Sequence, residues 1–234
     1  MGIRLPDLEE ARAFYGLALA QLGYDEPYTD GVNYEWTDFA FSADGPLTRR
    51  LHIGFAASSR AAVDEWWEAM TSAGYPSDGE PGLRPEYSEE YYGAFVLDPA
   101  GNSVEACRHG GTREDLGCVD HLWIRVRELA ASKRFYSTVA PYSGFEPGHD
   151  SEAPGGFIGE GATFWVVQGE STENLHIAFT APDNETVDEF HRVALSAGYQ
   201  DNGAPGERHY HPGYYGAFVL DPDGNNVEAV CHNR

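Results

Sequence analysis

The chain has 234 residues, of which 38 are acidic and 15 are basic, so its formal net charge is −23. This balance argues against a nucleic-acid partner, because phosphate backbones are bound by clustered Lys and Arg. Only three cysteines are present, and neither a signal-peptide core nor an apolar stretch near the roughly 20 residues of a membrane span is found. These features predict a cytoplasmic protein without disulfides and without a membrane partner.

A tandem duplication covers the whole chain. The segment LHIGF at Leu51–Phe55 recurs as LHIAF at Leu175–Phe179, and Tyr92–Pro99 recurs at Tyr215–Pro222, so the copies lie 124 or 123 positions apart (175 − 51, 215 − 92). The repeat predicts two units of similar fold, residues 1–112 and residues 118–234, with a polar linker at residues 110–117.

Periodicity and turn chemistry predict the elements of each unit. A stripe at Phe14, Tyr15 and Ala18 predicts a first helix that Asp7 caps, and matching residues predict its counterpart in the second copy. Second helices are predicted from about residue 60 to residue 74 and from about residue 184 to residue 198, where a glycine ends each. Asp-Pro-x-Gly turns then predict hairpins. The fold is therefore α+β, with two modules of strand, helix and about three strands per unit.

Isolated polar residues stand in the apolar strands of both copies. Side-chain alternation puts His176 on the face opposite its apolar neighbours, and His52 has the same setting beside the small residue Gly54. Glu105 and Glu228 are also flanked by apolar residues, and a carboxylate there needs an ionic partner or a metal.

Two interpretations of these residues are open, a satisfied buried pair and a metal site. The His and Glu recur at nearly equal spacing, 53 residues in the first copy (105 − 52) and 52 in the second (228 − 176). His121 also lies 55 residues before His176 (176 − 121). Since two imidazoles and a carboxylate are common metal ligands, the repetition favours a metal site.

These segments resemble the vicinal oxygen chelate superfamily, which includes glyoxalases, bleomycin-resistance proteins, fosfomycin-resistance transferases and extradiol dioxygenases. The resemblance covers essentially the whole chain and implies tandem glyoxalase-like units, each of two βαβββ modules that form open half-barrels. It implies one divalent metal ion, which would be Fe, Mn, Ni or Zn, in one complete site. The first unit lacks its leading-strand His, because the counterpart of His121 would lie just before Met1; this ligand is either lost or cut off by a wrongly chosen start.

The resemblance implies two alternative ligand sets. If modules pair within a unit, the ligands are His121, His176 and Glu228, and this set is favoured because polar loop residues lie near it in sequence. If modules exchange partners, the ligands are His121, His52 and Glu105.

Further expectations concern the chemistry. Tyr215 and His211 are predicted to handle protons at a metal-dependent enzyme for a small oxygenated metabolite. Extradiol cleavage is disfavoured, because Phe218 stands where dioxygenases of this family carry a Tyr. The alternative is a non-catalytic binder of the bleomycin-resistance type, with Trp36, Trp123 and Trp165 as stacking candidates. The chain is expected to be a monomeric pseudo-dimer or a homodimer.

Overall fold

The computed structural model describes residues 1–24, 26–109, 117–148, 155–159 and 162–233. They divide into two compact units, an N-terminal unit of Ile3–Trp123 and a C-terminal unit of Met1–Gly2 and Ile124–Arg234. In this division residues 118–123 fall in the N-terminal unit and residues 1–2 in the C-terminal unit, whereas the repeat predicts units of residues 1–112 and 118–234. The predicted linker lies, except for Gly117, outside the described residues.

The N-terminal unit contains two modules of the predicted order, so that each begins with a strand, continues with a helix and ends with three strands. The first module consists of β1 (Gly2–Arg4), α1 (Leu8–Gln21), β2 (Tyr28–Thr29), β3 (Asn33–Trp36) and β4 (Phe39–Ser42). The second consists of β5 (Leu51–Ala56), α2 (Arg60–Ser72), β6 (Ser77–Leu83), β7 (Tyr92–Leu97) and β8 (Ser103–Arg108). Within this unit the strand orders are β1-β4-β3-β2 and β5-β8-β7-β6.

The second copy of the repeat has the same plan. The third module consists of β9 (Val119–Val126), α3 (Leu129–Val139), a short 3₁₀ helix (Ala140–Tyr142), β10 (Phe145–Pro147), β11 (Gly155–Gly159) and β12 (Thr163–Gln168). The fourth consists of β13 (His176–Thr180), α4 (Asn184–Ser196), β14 (Gln200–Glu207), β15 (Tyr215–Leu220) and β16 (Asn226–Cys231). The strand orders are β10-β11-β12-β9 and β14-β15-β16-β13. The predicted α+β class is therefore confirmed.

The helices begin and end where the sequence predicts. The carboxylate of Asp7 accepts a hydrogen bond from the backbone N–H of Glu10 and so caps α1. Past the ends of α2 and α4, Gly74 and Gly198 have φ values of +94° and +89°, which only glycine adopts without strain. The predicted stripe of α1 is fully buried, as is that of α3, so both helices pack by their apolar faces.

A buried aspartate at the β7–β8 turn joins the two modules of the N-terminal unit. Asp98 accepts hydrogen bonds from the backbone N–H groups of Ala100 and Asn102, from the Asn102 side chain and from the hydroxyl of Tyr15 on α1. Asn102 in turn accepts from the backbone N–H of Leu51, at the start of β5. The turn thus fixes α1, the hairpin and β5 relative to one another, and every polar group in it has a partner.

The same network recurs in the C-terminal unit. Asp221 accepts from the backbone N–H groups of Asp223 and Asn225, from the Asn225 side chain and from the hydroxyl of Tyr136 on α3. Burial raises the pKa of both tyrosines well above 10.0, and the adjacent aspartate adds to this effect. Both phenols are therefore permanent donors.

Removing either donor tests this network. We expect Tyr15→Phe and Tyr136→Phe each to lower the free energy of unfolding by about 1–3 kcal/mol, because a buried, charge-assisted hydrogen bond is lost. Tyr28, which is 71% exposed, provides the control, and Tyr28→Phe should change stability by less than about 0.5 kcal/mol. Equal stability of all three variants in urea denaturation would contradict this role for the phenols.

Candidate metal site

Two parallel neighbouring strands place His52 and Glu105 side by side. In the pairing of β5 with β8, Gly54 lies opposite Glu105 and His52 lies opposite Ser103. Alternation then turns the imidazole and the carboxylate to the same face of the sheet. Glu105 is 1% exposed, so its charge has to be matched within the protein.

The first half of β9 brings His121 to the same place. The Asp38 carboxylate accepts hydrogen bonds from the backbone N–H groups of Cys118 and Val119, and the carbonyl of Cys118 accepts from Ala56 on β5. His121 lies over Gly54, where a Cβ atom would come within 2.1 Å of the imidazole Cε1. Only glycine at position 54 leaves room for the ring.

Three potential ligand atoms meet at this point. Nε2 of His52 lies 3.1 Å from Oε2 of Glu105 and 3.1 Å from Nε2 of His121. Nε2 of His121 lies 3.2 Å from the same carboxylate oxygen. These three residues are one of two groups of three close potential ligands in the described part of the chain, and the other consists of Cys107, Asp120 and His121.

A hydrogen-bond chain orients the ring of His52. The hydroxyl of Ser103 donates to Asp78 at 2.7 Å, so its oxygen is left to accept from Nδ1–H of His52 at 3.2 Å. With the proton on Nδ1, the lone pair of a neutral imidazole is on Nε2 and faces Glu105.

A second chain orients His121. Asp120 accepts from Nδ1–H of His121 at 2.9 Å and from Nε2–H of His109 at 2.8 Å. Burial raises the pKa of Asp120, but the hydrogen bonds from His109 and His121 outweigh it, and the net pKa is well below 3.8. Carboxylate–histidine pairs of this kind fix the ring and its tautomer at metal centres.

Tyr91 fixes the remaining ligand. Its hydroxyl donates to Oε1 of Glu105 at 3.0 Å, and its ring stacks on His109 with 5.4 Å between centroids. Burial raises the pKa of Tyr91 far above 10.0, and the nearby Cys107 and Glu105 add to the shift, so the phenol remains protonated. Oε2 of Glu105 is thereby the oxygen directed at the two imidazoles.

The site favours positive charge at its centre. Burial raises the pKa of Glu105, but hydrogen bonds from His121 and His52 outweigh it and lower the net value. Burial lowers the pKa of His121, but the hydrogen bonds with Asp120, Cys107 and Glu105 outweigh burial, and the net pKa is well above its ordinary value. A proton or a metal ion satisfies this demand, and the metal must displace the proton.

The donor set fits a divalent ion. Ligand atoms about 2.1 Å from an ion and at right angles to one another are separated by about 3.0 Å. The observed separations of 3.1–3.2 Å match one face of an octahedron, and two imidazoles with one carboxylate suit Fe(II), Mn(II), Ni(II) or Zn(II).

The C-terminal unit holds a smaller version of the site. Nε2 of His176 lies 2.9 Å from Oε2 of Glu228, and the hydroxyl of Tyr214 donates to Oε1 at 2.7 Å. Ala178 lies opposite Glu228, in the register position that Gly54 has in the other unit, and it carries the Cβ atom that Gly54 lacks. Gly2 on β1 pairs with His176 and brings no ligand.

The structure therefore groups the predicted ligands as follows. His121 contacts His52 and Glu105, the alternative set, and all three belong to the N-terminal unit. His176 and Glu228, which complete the favoured set, belong to the C-terminal unit and contact each other.

The two predicted proton-handling residues lie elsewhere. Tyr215 pairs with Cys231, so its side chain lies on the sheet face opposite to that of Glu228. Its hydroxyl donates to Asp188 on α4 at 2.8 Å. His211 shares a hydrogen bond with His232 at 2.9 Å, beside the ring of Tyr214. Tyr214, not Tyr215, reaches Glu228.

Sequence reasoning missed several residues that support the ligands, namely Tyr91, Asp120, His109, Ser103 and Asp78. One signal was available, because His109 and Tyr91 recur at the repeat offset as His232 and Tyr214. The others depend on contacts between distant segments.

Comparison with known proteins identifies the family. The model of the Glyoxalase/Bleomycin resistance protein/Dioxygenase superfamily matches residues 1–106 and 119–229. The chain belongs to this superfamily. A search of curated proteins gave no match.

Three solved glyoxalase structures are among the matches to this chain. A glyoxalase I mutant from Zea mays is 18% identical over 99% of this chain and 90% of that chain, with a TM-score of 0.71. Another glyoxalase I structure from Zea mays is 17% identical over 99% of this chain and 90% of that chain, with a TM-score of 0.69. The Mn(II)-bound glyoxalase from Novosphingobium aromaticivorans is 17% identical over 100% of this chain and 80% of that chain, with a TM-score of 0.47. The Zea mays likenesses confirm the predicted tandem glyoxalase-like units of open half-barrel type. No described helix has the length and apolarity needed to cross a bilayer.

The space at Gly54 gives a specific prediction. We expect Gly54→Ala to displace the His121 ring and to weaken Mn(II) binding by more than the roughly 10- to 100-fold typical of a lost supporting hydrogen bond. Ala178→Gly, at the matching position of the C-terminal unit, is the control and should bind Mn(II) like the unaltered chain. Unchanged affinity of Gly54→Ala in calorimetric titration would contradict the assignment.

Proposed function

We propose that the chain is a metal-dependent enzyme that acts on a small oxygenated metabolite, with His52, Glu105 and His121 as ligands to Fe(II), Mn(II), Ni(II) or Zn(II). The observation that carries this proposal is the meeting of three ligand atoms within 3.2 Å of one another. Membership of the superfamily supports it, because glyoxalases and dioxygenases are named within it.

His52, Glu105 and His121 would hold a divalent ion, which would supply Lewis-acid chemistry toward two substrate oxygens. The protein's own groups hold the arrangement. Asp120 and Ser103 orient the two imidazoles, and Tyr91 holds Oε1 of Glu105 as a permanent donor. Preorganisation of this kind removes the cost of ordering the ligands at each turnover.

The surroundings count against ring cleavage with oxygen. Phe95 lies directly opposite Glu105 on β7, and its ring, which cannot exchange a proton, lies 5.8 Å from the ring of His52. Phe218 has the same position opposite Glu228. The proposal gives no role to Tyr215 or His211, because their polar atoms are engaged by Asp188 and His232.

A non-catalytic binder of the bleomycin-resistance type is the second candidate. Trp36 packs against Phe39 and Phe41 and is 7% exposed, so it belongs to the core. Trp123 lies 5.8 Å from Tyr87, whose ring is half exposed. These two rings favour stacking with a planar ligand.

Residence in the cytoplasm and a monomeric pseudo-dimer or homodimeric state remain predictions.

Turnover measurements test the proposal. The chelator-treated chain, with and without each of the four metals, would be incubated in D₂O with α-hydroxy ketones, 2-oxo acids and thiohemiacetals of 2-oxoaldehydes. Solvent deuterium incorporation would be followed by NMR. We expect metal-dependent exchange that Glu105→Gln abolishes, because the ligand charge is lost, and that the matched control Glu228→Gln retains.

Two results would contradict the proposal. Exchange that survives metal removal would exclude a metal-dependent reaction. Tight ligand binding without turnover, unchanged in Glu105→Gln, would favour the binding protein.

A further inference from the structure

Arg84 lies at the sheet edge of the N-terminal unit, immediately after β6. One terminal nitrogen of its guanidinium donates to the carbonyl of Glu80 at 2.7 Å, and the other donates to the carbonyl of Leu83 at 3.3 Å. The Cζ atom stands over the ring of Phe95 at 5.3 Å from the centroid. Two backbone carbonyls and a ring face therefore hold a long, flexible side chain in one place.

This guanidinium has no carboxylate partner among the described residues, although acidic residues outnumber basic ones by 38 to 15. Arg127 and Arg192, by contrast, pair with Asp223 and Glu189 at 2.7 Å. A guanidinium offers five N–H donors, and the carbonyl bonds leave part of that donor set unused. A fixed cation of this kind is suited to a planar anion.

Arg84 shares Phe95 with the candidate metal site. Phe95 faces Glu105 across the β7–β8 pairing, and its ring lies near that of His52. The Cζ atom of Arg84 lies 5.3 Å from the Phe95 centroid, and that centroid lies 5.8 Å from the centroid of His52. The guanidinium is therefore at most about 11 Å from the His52 ring.

The C-terminal unit contains the same arrangement of an arginine held by two carbonyls and a phenylalanine ring. Arg208 donates to the carbonyls of Ala204 at 2.6 Å and Glu207 at 3.3 Å, and its Cζ atom stands over Phe218 at 5.2 Å. The local sequence therefore specifies the placement, and Arg208 is a natural control because its unit brings together only His176 and Glu228.

We propose that Arg84 is a specificity-determining residue that binds a carboxylate of the substrate, at most about 11 Å from the His52 ring at the metal ligands. The substrate class is then an oxygenated metabolite with a remote carboxylate. This inference rests on the proposed function, and it adds the charge and approximate length of the substrate.

Hydroxamates provide the probe, because they chelate divalent ions through two adjacent oxygens. The ligands are the monohydroxamates of linear dicarboxylic acids from succinate to suberate, the methyl ester of each, and acetohydroxamate. Binding to the Mn(II)-loaded full chain is measured by calorimetry for the unaltered protein, Arg84→Ala, Arg84→Lys and Arg208→Ala.

We expect at least one acid to bind about tenfold or more tightly than its ester to the unaltered protein and to Arg208→Ala. The preference should disappear in Arg84→Ala and shrink in Arg84→Lys, which keeps the charge but loses the planar donor pair. Acetohydroxamate should bind all four proteins alike, which shows that each variant is folded and loaded.

Equal binding of every acid and its ester by the unaltered protein overturns the inference, as does an equal loss in Arg208→Ala. If acetohydroxamate still binds in either case, the proposed metal site stands and only the role of Arg84 is wrong. If Mn(II) does not load, or no hydroxamate binds the loaded chain, the proposed function fails and the inference fails with it.

Discussion

A carboxylate buried in an apolar strand is the constraint on which the candidate site depends. Glu105 lies between Val104 and Ala106 with 1% of its surface exposed, so its charge is stable only if cationic or donor groups surround it. His52, His121 and Tyr91 meet that demand from three different segments. Behind them, Asp120 and Ser103 hold the imidazoles so that their Nε2 atoms converge. The cluster is arranged to hold a positive charge, and a divalent metal is the ion that fits its spacing.

The duplication supplies two similar scaffolds, and a few positions make their sites unequal. Both units bury a Glu beside a His, and in both a Tyr donates to the carboxylate. The third imidazole, His121, lies over Gly54, whereas the matching position of the other unit is Ala178. The anchoring of Arg84 and Arg208 is shared, because it needs only two carbonyls of the preceding strand and the Phe of the neighbouring strand. The scaffold is thus repeated more faithfully than the ligand set.

The fold could be predicted from sequence because its determinants are local. Apolar periodicity, helix caps and turn residues determine the helices and strands of each module, and both copies of the repeat contain these signals. The ligand residue types were also predictable, because a polar residue in an apolar strand is conspicuous. The grouping of His121 was not predictable, since bonds between Asp38 and the start of β9, 80 positions apart, determine it. Tyr214 and Tyr215 are adjacent in sequence, but their side chains point to opposite faces, so Tyr214 donates to Glu228 and Tyr215 donates to Asp188.

Metal content per chain is the most direct test of the central claim, measured by elemental analysis after chelation and reconstitution with Mn(II). Protein without a His tag would be compared as the unaltered chain, His52→Ala and His176→Ala. The account predicts about one ion per chain in the unaltered protein and in His176→Ala, and none in His52→Ala, because a site of two remaining ligands binds too weakly. An ion retained by His52→Ala and lost from His176→Ala would contradict it.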